Sequence, residues 1–208
     1  MNLNYYWKHH HNKILACTLS GLALAIYLAV QVTFMVLSGT NYFSFLNIWS
    51  VVLTIAVYTI IFSGNLRNDP FAYNGVLMFI FMSVFDAIRS LIVSGFDVAT
   101  SFGGENVRLG VFFIITVLFE AAMAVIGILL YVQSRRYMLG YPVRWKIIRL
   151  LSILFFACLC VSTAFTLSIL LLLGIAGPIY ALLVVAEPVS AVLIGLAIVF
   201  TMERLRRI

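Results

Sequence analysis

An all-α polytopic membrane protein is the fold class the sequence predicts, with six transmembrane helices forming three hairpins and both termini in the cytoplasm. Three observations predict it. The chain of 208 residues is 64% hydrophobic and only 10% charged, where a soluble domain carries roughly a quarter charged residues, and its mean hydropathy is +1.13. The apolar residues gather in six runs, at about 14–38, 45–63, 71–94, 109–133, 149–173 and 179–202. Each is near the roughly 20 residues that cross a bilayer core as a helix. The basic residues, finally, collect on one side of that six-span layout.

Span one, 14–38, follows a mildly basic start and ends at Ser38-Gly39. The run is too long for a signal-peptide core and lacks a small-x-small cleavage pattern at its end, so it reads as a retained span. His9, His10 and His11 before it read either as a metal-binding run or as an interfacial segment beside Tyr5, Tyr6 and Trp7. Span two, 45–63, is the shortest and stops at Gly64-Asn65. Span three, 71–94, starts after Asn68-Asp69-Pro70 and stops at Ser94-Gly95. Span four, 109–133, leads to Gly140-Tyr141-Pro142. Span five, 149–173, follows residues 143–150, which alternate basic and bulky apolar side chains and suit a position along the inner surface. Span six, 179–202, follows the breaker stretch from Gly174 to Pro178. The whole chain, 1–208, reads as one domain.

Orientation follows from charge. Lys8, Lys13, Arg67, Arg135, Arg136, Arg144, Lys146, Arg149, Arg204, Arg206 and Arg207 fall on one side; Arg108, with Asp97 and Glu105, falls on the other. The positive-inside rule puts the basic side in the cytoplasm. The same distribution accounts for the net charge of +6 without a nucleic-acid partner. Cys17, Cys158 and Cys160 lie in apolar runs and form neither a disulfide framework nor a zinc-ligand spacing. The sequence has no Walker motif, no His-Glu-x-x-His and no Gly-x-Ser-x-Gly. The expectation is a chain that is not an enzyme and carries no cofactor.

Four ionisable residues interrupt the spans: Asp86, Arg89, Glu120 and Glu187. A charge in the hydrocarbon costs a few kcal/mol on insertion scales, so such residues face a protein interior and often mark a site. At roughly 1.5 Å per residue, Asp86, Arg89 and Glu187 lie in the outer half of the bilayer and Glu120 near its midplane. Gln31, Asn47, Trp49 and Tyr180 lie at comparable depth and would add hydrogen bonds and a stacking surface. Three readings stay open: a pocket for a small solute or ion, a structural polar cluster in which Asp86 and Arg89 neutralise each other one turn apart, and carboxyl groups that pass protons.

Span one also carries Gly21, Ala25 and Ala29 at a spacing of four, which suits either internal packing or docking of another membrane subunit. With these features the chain resembles the substrate-binding S subunit of energy-coupling factor transporters, the bacterial uptake systems for vitamins and trace nutrients. Ala25 and Ala29 match that family's Ala-xxx-Ala in the first span; Pro70, Gly75 and Asp86 match a third span that follows a proline and glycine and carries an aspartate. The family's further glycines between Gly75 and Asp86 are absent. The resemblance implies a multi-pass protein of the bacterial inner membrane that binds a micronutrient-like solute. Its partners would be a transmembrane coupling protein and ATPases. The alternative is a non-catalytic scaffold or assembly subunit of a larger membrane complex.

Overall fold

The computed structural model describes residues 3–38, 45–102, 107–172 and 178–204, and side chains for 10–36, 48–92, 111, 114–165, 168 and 185–204. The described residues are helical apart from turns: α1 Leu3–Ser38, α2 Phe45–Leu66, α3 Ala72–Phe102, α4 Val107–Met138, α5 Trp145–Leu172 and α6 Pro178–Arg204. All six are long and apolar enough to cross a membrane. Several run beyond the predicted spans. α1 takes in His9, His10 and His11, and residues 145–150 form the first turns of α5 instead of a separate surface segment. Pro188 sits inside α6, which continues through it.

The chain divides into two compact units, one made of residues 1–79 and 175–208, the other of 80–174. In the first unit α1 packs against both α2 and α6. The packing follows from a division of faces along α1. Asn12, Ala16, Ser20, Ala23, Tyr27 and Val30 are buried, while Ile14, Leu22, Val32 and Val36 are exposed. Small residues on the buried face let neighbouring helices approach closely, which strengthens packing between helices in lipid. The Ser20 hydroxyl donates to the Ala16 carbonyl at 2.6 Å, so its polarity costs the interface little.

The turn between α2 and α3 is held from several sides. Asp69 Oδ1 accepts from the Phe71 amide at 2.8 Å, and Pro70 follows it at the start of the helix, an N-terminal capping arrangement. Asn68 has φ 60°, a left-handed conformation asparagine tolerates. A Cβ on Gly64 would lie 2.5 Å from the Ala72 amide nitrogen, so only glycine lets α2 pass this close to the start of α3. From the last turns of α6, Arg204 donates to Asn68 Oδ1 at 2.8 Å and to the Asp69 carbonyl at 3.1 Å. Next to this clamp Asn65 Nδ2 donates to Thr201 Oγ1 at 2.9 Å.

In the second unit α4 packs on α5. Its buried stripe includes Thr116, Glu120, Met123, Ala124, Leu130 and Ser134, which lie on one side of the helix. Gly127 lies on this stripe, and a Cβ there would come 2.5 Å from Val84 Cγ2 of α3 and 3.2 Å from Phe155 Cε2 of α5. That point locks three helices together. After α4 ends at Met138, Gly140 with φ 89° reverses the chain while the Tyr141 amide donates to the Arg136 carbonyl at 3.1 Å.

Candidate functional site

The antiparallel register within the second unit decides which polar groups meet. Phe81 lies 6.5 Å from Tyr131 between ring centroids, and Val84 meets Gly127, so α3 and α4 run past each other in opposite senses. Continuing along both helices brings Ser90 alongside the Glu120 carboxyl group. On the other side of α4, Tyr137 pairs with Trp145 at 5.2 Å, Gly127 meets Phe155, and Phe119 stacks on Phe165 at 5.8 Å. Ser162 lies as far beyond Phe155 as Glu120 lies before Gly127, which sets Ser162 on α5 level with Glu120.

Glu120 is the buried acid among the described residues of this unit. It is only 7% exposed, and its Oε2 has no hydrogen-bond partner. Thr116, one turn earlier on the same face, is buried too. Ser90 of α3 thus lies beside a buried carboxyl group of α4, and Ser162 of α5 lies level with it. An unmet buried polar atom costs roughly 1–3 kcal/mol, so this constellation can hold a donor supplied from outside the chain.

The other predicted residues divide between the two units. Asp86 and Arg89 project from α3 as exposed side chains, one turn apart and electrostatically paired. Asp86 is also one turn from Ser90, at the edge of the face that reaches Glu120. Glu187 belongs to the first unit, where it is exposed on α6. It lies close enough to Tyr58 of α2 to act on it electrostatically. Buried Tyr58 lies beside Ser190, the Ser190 hydroxyl donates to the Glu187 carbonyl at 2.7 Å, and the Tyr27 ring lies 5.5 Å from that of Tyr58. Gln31 is half-buried on α1 and Trp49 exposed on α2, both in the first unit. The side chains of Asn47 and Tyr180 lie outside the described residues.

The small residues of α1 divide as well. Gly21 faces Phe62 of α2, where an added Cβ would be 3.0 Å from Cε2. Ala25 and Ala29 are exposed. The buried small face is instead Ala16, Ser20 and Ala23. Ser90, Thr116, Ser162, Tyr58 and Ser190 escape a reading that searches for charge. The signal available for Thr116 and Ser90 is their spacing of four from Glu120 and Asp86. Many other hydroxyls in these helices merely bond their own backbone, as Thr18, Thr33, Thr54 and Ser168 do.

Comparison with protein-family models, with curated proteins and with solved structures gave no match.

Proposed function

We propose that the chain is the membrane-embedded, non-catalytic binding subunit of an uptake system for a small micronutrient-like solute. The observation that supports this most is Glu120, a carboxyl group buried on α4 beside Ser90 of α3 with its Oε2 unmet. Burying an acid without a full set of partners is costly, and ligand sites are where membrane helices carry such groups. In this reading the helices run as three hairpins in a bacterial inner membrane, with both termini cytoplasmic, as the basic residues favour. Glu120 then lies near the midplane and Asp86 nearer the outer surface. Energy comes from partner ATPases through a transmembrane coupling subunit.

A second reading has its own support. Asp86, Arg89 and Glu187 are exposed on span surfaces, as are Ala25 and Ala29. Charges facing lipid are expensive, and a neighbouring membrane chain covering them would make this protein a scaffold subunit. Native mass spectrometry of gently purified protein separates the readings. A retained small molecule supports binding; retained partner chains without one support the scaffold; neither outcome alone fits both.

A further inference from the structure

We infer that the turn joining α4 to α5 is a docking site for the phosphate headgroups of anionic phospholipids. The turn runs between two apolar stretches of spanning length, Ile114–Met138 and Trp145–Phe165, which places it at a membrane surface. Arg135 and Arg136 lie in the last turn of α4, Arg144 precedes α5 and Lys146 lies in its first turn. All four are exposed. The sequence has no Asp or Glu between Glu120 and Glu187, and Glu120 lies about four turns of α4 from Arg135. Four cations thus gather at one end of a helical hairpin, on a stretch of chain that supplies no acid. Basic residues of the first unit are placed differently. Arg204 is buried and bonded to the α2–α3 turn, and Arg67 has Asp69 two residues away.

The turn is an ordered platform for these charges. The Leu139 amide donates to the Arg135 carbonyl at 3.0 Å, the Tyr141 amide to the Arg136 carbonyl at 3.1 Å and the Ile147 amide to the Arg144 carbonyl at 2.9 Å. The Arg136 guanidinium lies 5.9 Å from the centre of the Tyr141 ring, a cation–π contact that restrains it. Apolar side chains are interleaved with the cations: Leu139, Tyr141, Ile147 and Leu150 are all exposed. Such a mixture fits the boundary between headgroups and acyl chains. The apolar groups enter the hydrocarbon edge, while guanidinium and ammonium groups donate to phosphate oxygens. Free phosphate would match the charge and leave the apolar side chains unused; an anionic lipid meets both. The inference holds whether the chain binds a solute or serves as a scaffold.

The test is native mass spectrometry of the full chain in mild detergent, titrated with phosphatidylglycerol and phosphatidylcholine of the same acyl chains. One basic residue near an anionic surface changes affinity by up to about five-fold, so wild type should hold the anionic lipid at least about ten-fold more tightly. High salt should shrink that preference. Arg135→Gln and Lys146→Gln should each lower it by about two- to five-fold, and replacing Arg135, Arg136, Arg144 and Lys146 together by glutamine should remove most of it. Arg135→Lys, which keeps the charge, should retain most of it, and Arg67→Gln in the first unit should change it little. If a thermal melt shows that the fourfold variant does not fold, the single variants decide. Equal retention of both lipids, or a preference that survives the glutamine variants, overturns the inference. Displacement of the lipid by inorganic phosphate, at an ionic strength matched with chloride, also overturns it, because the site would then serve a free anion.

Discussion

Replacing Gly127 with alanine tests whether α3, α4 and α5 meet where the second unit is tightest. The new Cβ would lie 2.5 Å from Val84 Cγ2 and 3.2 Å from Phe155 Cε2. Ordinary contact begins near 3.4 Å, so Val84 must retreat by almost 1 Å. Val84 is β-branched and on a helix has essentially one χ1 well, so it cannot swing aside. Phe155, 1% exposed, closes the other direction. Overpacking of this kind costs up to about 3 kcal/mol; the better helix propensity of alanine returns at most about 1 kcal/mol. The net expectation is a loss of about 2 kcal/mol in thermal or denaturant unfolding in detergent. Val84→Ala in the same chain removes the obstructing methyl. The double variant should then be no less stable than Val84→Ala alone, a coupling of about 2 kcal/mol in a double-mutant cycle. Unchanged or raised stability in Gly127→Ala, or additive losses in the pair, would refute the three-helix contact and the register that sets Ser90 against Glu120.

Three further outcomes are expected. Ala23→Leu should destabilise the isolated chain by about 1–3 kcal/mol, because Ala23 is fully buried, whereas Ala25→Leu should leave its melting unchanged and disturb only assembly with a partner; equal effects would show that the two faces of α1 are misassigned. Arg204→Ala removes both bonds to the α2–α3 turn and should cost about 2–4 kcal/mol, with Arg204→Lys recovering little, since one ammonium cannot span both acceptors in the fork geometry; a melt of Arg204→Ala matching wild type would show the clamp to be idle. Reporter fusions after Ile208 and within residues 97–106 should give opposite signals, the first cytoplasmic; matching signals would remove the depth assignments on which the outer-half placement rests.

The six helices are legible because transfer from water dominates the composition, and hydropathy measures that directly. Their ends are less so. α1 begins at Leu3, α3 continues through Gly95 to Phe102 and α4 continues to Met138. A helix persists as long as its backbone bonds do, and polar residues such as His10 extend it without adding hydropathy. Helix faces are harder still. In lipid both sides of a helix are apolar, so the periodicity that marks a buried face in water is flat. Two sets of small residues on α1 therefore look alike, Ala16-Ser20-Ala23 and Gly21-Ala25-Ala29, and only the structure separates them. Among candidate site residues the charges stand out because each is costly in a span. Their hydroxyl partners are ordinary in any helix and gain meaning only from register, as Ser90 does opposite Glu120. That Glu187 belongs with Tyr58 and Ser190 depends on α6 returning to α1 and α2, a long-range pairing that depth along single spans does not contain.

The division of the chain has a consequence for biosynthesis. The second unit is one unbroken stretch, residues 80–174, whereas the first is assembled from the two ends, 1–79 and 175–208. Chains emerge from the ribosome N-terminus first, and contacts between near neighbours in sequence form soonest. The middle of this protein can thus pack while α1 and α2 still wait for α6. Until that last helix inserts, Asn65 lacks Thr201 and the α2–α3 turn lacks Arg204. A nascent chain halted after Gly174 holds a finished centre flanked by an unfinished beginning, and quality-control factors that recognise unmet polar groups in the membrane would find them there.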